Sequence, residues 1–263
     1  MKVTGKIAVT GGGQGLGAAL AKRFADDGAR VVVLDLNAET VRSVAAAIGG
    51  RAFTCDVGVR EQLDSAIDTI EDVIGPIDLF CSNAAIFGGD GSSGLAETPD
   101  ALWESAININ LMSHIWAATK LVPLMEGRGG GYFLQVLSAA GLITGPSPLS
   151  YTVTKHAGIG FAEWLSINHR HNGIGVSCLC PTAVATPQLA LPAANEEDER
   201  IRAQVGLIQT PEEVADITIR GLAEETFLIL PNERLGTSFL HKAQDYDRCL
   251  DHTARRVTAM RVM

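Results

Sequence analysis

An open α/β fold, a doubly wound parallel sheet of about seven strands with helices on both faces, is predicted for this chain of 263 residues. Three observations predict it. Short apolar runs alternate with helix-patterned segments, as crossover connections between parallel strands require. The runs are apolar throughout rather than at every second residue, which marks strands covered on both faces. Glycines and prolines fall between the elements and not in one long linker, so residues 1–263 read as a single domain.

Ile7-Ala8-Val9 reads as the first strand. Residues 18–25 form a helical pattern that offers Ala19, Leu20 and Phe24 to the sheet, and Gly28 ends it. A second strand spans 31–34 and a second helix 38–48. Gly49-Gly50 then leads to a third strand at 52–55. The amphipathic stretch 61–73 stops at Gly75-Pro76, before a fourth strand at 77–81. Residues 100–125 carry a long helical pattern, with Asp100 as a candidate cap after Pro99. Three glycines, Gly129 to Gly131, precede a fifth strand at 132–137. Residues 151–170 are helical again, and strands six and seven fall at 174–179 and 227–230.

Two segments break the alternation. Residues 187–209, with Pro187, Pro192 and the acidic run Glu196-Glu197-Asp198-Glu199, follow the sixth strand. Ligands of open α/β sheets bind beyond the carboxyl ends of strands, so this segment is expected to be a substrate lid. Residues 233–263 are expected to form a C-terminal helical extension. From Gly236 on it reads as one amphipathic helix with Phe239, Tyr246 and Leu250 among Lys242, Arg248, Arg255 and Arg256, placed for packing or a subunit contact.

The formal net charge of −9 argues against nucleic acid and anionic membrane surfaces, which attract clustered Lys and Arg. Five cysteines form no CxxC pair, and the six histidines show no zinc-type spacing with them. Cys55, Cys81, Cys178 and Cys180 lie in or beside strands, as small hydrophobes do. No metal is expected. No apolar run reaches 18 residues, and with the first strand starting near Lys6 no leader is expected ahead of it. A soluble cytoplasmic protein is the expectation.

Thr10-Gly11-Gly12-Gly13-Gln14-Gly15-Leu16-Gly17 joins the first strand to the first helix. Glycines there permit a tight turn and a close approach of backbone to phosphate, and the helix offers free N–H groups at its positive end. Asp35 ends the second strand, where its carboxylate can accept hydrogen bonds from ribose hydroxyls and repel a 2′-phosphate. Leu36 and Asn37 follow it without a basic residue, and Gln14 occupies the turn. The pattern favours NAD over NADP. Asp56-Val57 after the third strand and Ser82-Asn83-Ala84-Ala85 after the fourth lie where such a cofactor would cross the sheet edge; each could equally cap a turn.

Tyr151 and Lys155, four residues apart, share one helix face. A phenol titrates near 10, too high for a good base at neutral pH; a neighbouring ammonium and a positive nicotinamide would both lower it. Ser138, at the end of the fifth strand, carries a hydroxyl suited to a substrate oxygen. With the glycine turn and Asp35, these groups suit hydride transfer to or from a carbonyl carbon.

These residues carry a family resemblance over roughly residues 5 to 231. The chain resembles a short-chain dehydrogenase/reductase of the branch about 250 residues long. Thr10 to Gly17 is similar to that family's TGxxxGxG turn, Ser82 to Ala85 to its NNAG, and Ser138, Tyr151 and Lys155 to its Ser, Tyr and Lys. Asn110, followed by Leu111, aligns with its active-site Asn in preference to Asn108. Pro181 to Thr186 is similar to its segment beside the nicotinamide. The chain departs from the pattern at Ser82, Ala85 and Thr182, and it lacks the usual glycine-rich ending.

The resemblance implies a Rossmann-type domain that binds NAD, a small-molecule alcohol or ketone substrate, and a homo-oligomer, dimer or tetramer. It makes Tyr151 the general acid/base, gives Ser138 the substrate oxygen and gives Lys155 the nicotinamide ribose and the lowering of the Tyr151 pKa. Asn110 would hold a water in a proton relay, and Val184 and Thr186 would meet the carboxamide. Cofactor contacts are expected from Gly11, Gln14, Gly15, Leu16, Gly17, Asp35, Leu36, Asp56, Val57, Asn83, Ala84, Tyr151, Lys155, Pro181, Val184 and Thr186. Substrate contacts are expected from Ser138, Ala140, Tyr151, Ala183 and Leu189. Ala139, Ile143, Leu149 and Leu191 complete an apolar wall, which suits a secondary alcohol with aryl, alicyclic or steroid-like substituents. A non-catalytic nucleotide-binding scaffold is the alternative from another class. Enoyl reduction is disfavoured, because relatives with that activity space Tyr and Lys more widely.

Overall fold

The computed structural model describes residues 4–88, 98–187 and 208–262, with the side chains of the last three left aside. Seven parallel strands form one sheet: β1 (Lys6–Thr10), β2 (Arg30–Asp35), β3 (Arg51–Thr54), β4 (Leu79–Ser82), β5 (Gly131–Val136), β6 (Ile174–Leu179) and, last in the sheet, Leu228–Ile229. Their spatial order runs β3-β2-β1-β4-β5-β6 and then Leu228–Ile229. The direction of strand addition therefore reverses between β1 and β4, which opens a crevice at their carboxyl ends.

Every second residue feeds a different core. Ala8, Phe80, Phe133 and Val176 pack into a layer with Leu63, Ile67, Leu121, Met125 and Ala162. Ile7, Val9, Leu79, Cys81, Leu134 and Val33 pack into the other, with Leu20, Phe24, Val41, Val214 and Leu222. Burial on both faces explains the unbroken apolar strands.

Helix α1 (Gly15–Asp26), α2 (Ala38–Ala47) and α3 (Arg60–Thr69) form where the sequence predicts helices. Asn37 caps α2 by accepting from Glu39 N and Thr40 N. The pattern over 100–125 becomes α4 (Asp100–Ile107), a wider π turn (Asn108–Met112) and α5 (Ser113–Gly127). Pro99 holds the capping position and Asp100 is the first helical residue, so its carboxylate meets the positive end of α4 without the capping bond expected of it. Helix α6 (Leu149–His169) follows.

Helix α7 (Pro211–Ala223) is an element not among those expected, although its start is well marked: Thr210 and Glu213 form a reciprocal capping box with Pro211 in the first turn. The expected single tail helix is two, α8 (Glu233–Gln244) and α9 (Tyr246–Val262), separated at Asp245. Most of the expected lid, with Leu189 and Leu191, lies outside the described residues. Its far end does not: β8 (Ile208–Gln209) pairs in parallel with β7 (Ala183–Val184) beside the cleft, and Leu228–Ile229 is accordingly β9.

Candidate active site

The glycine turn is shaped by contacts that exclude larger residues. Gly11 has a φ of 61°, and a Cβ there would lie 2.7 Å from the Cα of Ala84. A Cβ on Gly17 would overlap the Gly11 carbonyl and the Asn83 amide. Asn83 closes the turn from the β4 side by donating from Nδ2 to Thr10 O (2.9 Å) and Gly11 O (3.1 Å). Thr10 Oγ1 accepts from Asn83 N and Ala84 N. Backbone thus lies open at the start of α1, where a phosphate needs it.

Asp35 stands at the end of β2. Its Oδ2 accepts from Gly13 N (2.9 Å) and its Oδ1 from Asn37 N (3.0 Å). An ionised carboxylate has about four acceptor sites, so capacity remains for a ribose diol. The Asp56 carboxylate turns to its own loop and accepts from Gly58 N (2.8 Å).

The reacting groups converge from β5 and α6. Ser138 follows β5 in extended conformation, and its Oγ accepts from Ala140 N at 3.1 Å. Tyr151 and Lys155 lie in the first two turns of α6. Gly158 lets α6 approach closely, since a Cβ there would meet Leu137 at 2.7 Å. Gly141 does the same against the Lys155 carbonyl. The Ser138 side chain hydrogen-bonds Tyr151, and Lys155 Nζ stands 5.5 Å from the Tyr151 ring centroid. Phe87 packs a tilted ring on Tyr151 at 4.9 Å.

Burial pushes the Tyr151 phenol up, and the hydrogen bond from Ser138 opposes it. Lys155 is itself 1% exposed, donates to Val136 O at 3.1 Å, and is lowered by burial to about 8. Cys180 faces this lysine as a thiol, pushed up to about 12 by burial.

Asn110 lies in the π turn between α4 and α5. It is fully buried in the π turn, beneath the cleft and not in its wall. Its Oδ1 accepts from Ile86 N (2.8 Å), while Nδ2 donates to Ile86 O (2.9 Å) and Thr154 Oγ1 (3.2 Å). With both donors committed, the amide braces the segment after β4 against α6. Its side chain thus holds the loop after β4 in place beside α6.

One cleft of about 1410 Å³ runs along the carboxyl edge of the sheet. Gly11, Gln14, Gly15, Leu16, Gly17, Asp35, Leu36, Asp56, Val57, Asn83 and Ala84 line one end of it. Ser138, Ala140, Tyr151, Lys155, Pro181, Ala183, Val184 and Thr186 line its middle, with Ala139 and Ile143. Leu149 is absent from the wall, because it starts α6 ahead of the face that carries Tyr151. Sequence reasoning missed Ile86 and Phe87 beside the tyrosine, and it missed that α8 and α9 close the far end. The basic residues of the tail were visible in the chain; their return to the cleft depends on the break at Asp245. Among the described residues no group of three or more His, Cys, Asp or Glu is placed to hold a metal ion.

A glycine cradle, a ribose-type acid and a Ser-Tyr-Lys set on one cleft define an α/β protein of the dinucleotide-dependent redox class. The family model described as short chain dehydrogenase matches residues 6–197, and the chain belongs to that family of oxidoreductases. It is 30% identical over 233 residues to 1-deoxy-11-beta-hydroxypentalenate dehydrogenase of Streptomyces exfoliatus, covering 85% of this chain and 82% of the relative. It is 28% identical over 240 residues to estradiol 17-beta-dehydrogenase 11 of Homo sapiens, covering 88% and 76%. The solved structure of a short-chain dehydrogenase/reductase from Burkholderia phymatum in complex with NAD superimposes with a TM-score of 0.80 at 26% identity, covering 94% of this chain and 96% of that one.

Proposed function

We propose that this protein is an NAD-dependent dehydrogenase that interconverts a secondary alcohol and a ketone. One observation carries the reading: Ser138, Tyr151 and Lys155 meet in the wall of the cleft that also holds the glycine turn and Asp35. The turn would offer backbone N–H groups to a pyrophosphate, Asp35 would accept from the adenosine ribose, and Lys155 would hold the second ribose. NAD supplies the hydride acceptor at the nicotinamide C4.

The chain's own groups handle the proton. Ser138 hydrogen-bonds the carbinol oxygen, and Tyr151 Oη takes its proton as the C–H hydride leaves. Secondary alcohol and NAD⁺ become ketone, NADH and one proton. Burial lowers Lys155 to about 8, so its ammonium gives up a proton more readily than that of an exposed lysine. The wall around Tyr151 is apolar, with Ala139, Ala140, Ile143, Ile86, Phe87 and Ala183, and suits alicyclic, aryl or steroid-like substituents. Five free cysteines, four of them buried, fit a reducing compartment, and we place the enzyme in the cytoplasm. Among the described residues no helix is long and apolar enough to cross a membrane.

The test is a Tyr151→Phe variant. Removing one hydroxyl should leave NADH binding within about twofold, while turnover of alcohols falls at least about 100-fold, the usual size of a general acid/base contribution. Near-normal turnover would remove Tyr151 from the chemistry. Binding of NADH without oxidation of any member of a broad alcohol panel by the unmodified protein would favour the scaffold reading.

A further inference from the structure

The far end of the cleft differs in character from its middle. Helix α8 is anchored over the loop that follows Ser138: Lys242, itself buried, donates from Nζ to Leu142 O at 2.7 Å, and Leu235 packs in the core beside Leu142 and Leu137. The substrate end of the cleft therefore continues directly onto α8 and α9. Helix α9 turns one side inward. Cys249, Thr253 and Val257, spaced by four, are its half-buried residues, and all three line the cleft.

Charge is sorted across this helix. Arg248 and Arg255 line the cleft, together with Arg234 and His241 from α8 and His252 from α9. Arg248 and Arg255 are seven residues apart, hence on one flank and about 10 Å from each other along the axis. Neither guanidinium has an ion-pair or hydrogen-bond partner among the described residues. The acids of the helix, Asp247 and Asp251, are absent from the wall. Asp245 does line it, but its Oδ1 accepts from Arg248 N at the head of α9. In a chain of net charge −9, a cleft end where Arg248 and Arg255 have no partner among the described residues is a local reversal of sign.

We propose that this flank of α9 binds an anionic group, a carboxylate, sulfonate or phosphate, at the far end of an apolar alcohol whose carbinol lies at Tyr151. The inference rests on the dehydrogenase reading and narrows its substrate class to amphipathic hydroxy acids. Guanidinium groups suit this task because their planar N–H pairs match oxyanions. The apolar middle of the cleft takes the hydrocarbon, and the cationic end fixes which way round it enters.

The test compares two naphthalene dyes on the NADH-loaded full chain. 1-Anilinonaphthalene-8-sulfonate carries the anion, and N-phenyl-1-naphthylamine lacks it. The sulfonate should bind more tightly, and a variant carrying both Arg248→Gln and Arg255→Gln should lose about 10-fold or more in its affinity while the neutral dye is unmoved. In turnover, the same variant should raise KM for a hydroxy acid but not for its methyl ester, with kcat kept. Equal weakening of both dyes, or no weakening of either, overturns the proposal. If no alcohol is oxidised at all although NADH titrates normally, the dehydrogenase reading is what fails, and the dye comparison still decides the role of the α9 flank. An unchanged far-UV circular dichroism spectrum confirms that α9 remains folded in the variant.

Discussion

Asp35 shows how much one side chain can decide. Its carboxylate ties the glycine turn to β2 through Gly13 N and still faces the cleft. A cofactor with a ribose diol gains hydrogen bonds from it, and one with a 2′-phosphate meets its charge. Hydrogen bonds to a charged group contribute roughly 1.5–3 kcal/mol. Asp35→Ser should therefore weaken NADH by about 10-fold or more and shrink the margin by which NADH outbinds NADPH; fluorescence titrations of both cofactors give that ratio, and an unchanged ratio would deny Asp35 the part assigned to it. This residue was legible in the sequence because a strand end and a glycine turn fix where it must stand. The environment of Asn110 was not. Its partners, Ile86 and Thr154, are distant in sequence, and only the packing of α6 against the π turn shows that its amide is already committed.

At the scale of elements, strands were easier to read than helix ends. An apolar run between two breakers has one compatible state in an α/β layer, and all seven predicted strands occur. Helix α7 went unread although its capping box is plain at Thr210 and Glu213. The tail divides at Asp245, where the residue that ends α8 also accepts from Arg248 N at the head of α9. Helix α6 carries a further message on its outer side. Val153, Trp164 and Ile167 are 45%, 56% and 77% exposed, and their spacing places them on one face. Large apolar side chains grouped in this way mark association surfaces, and the homo-oligomer that the family resemblance implies would use this face against a second copy. Light scattering after size exclusion should find a dimer or larger for the unmodified chain, and Trp164→Glu should shift it toward monomer with NADH binding retained. A monomer in both cases would dismiss the face as an interface.

For the whole molecule, the sheet turns a linear pattern into a shared core in which polar groups are rare and costly. His114 on α5 and Gln135 on β5 are both buried at 1% exposure or less, and their Nδ1 and Oε1 atoms are 2.5 Å apart. A sequence does not reveal such a pair, because α5 and β5 meet only once the layers stack. Burial, and the nearby charge of Lys155, lower His114 to about 3. The native state thus keeps this imidazole neutral where the unfolded chain, titrating near 6.5, takes up a proton. Between those two values the unfolded state binds more protons, so stability falls as pH falls, by up to about 1.4 kcal/mol per pH unit for this one group. Above pH 6.5 the contribution is flat. In His114→Gln the titration is gone, while a neutral polar side chain still faces Gln135. Urea denaturation at pH 7 and pH 5 should then show the unmodified protein losing about 2 kcal/mol more than the variant over that interval. Other titrating groups cancel in the comparison, so a gap between the two proteins that does not change with pH would mean that His114 is not held neutral by the fold.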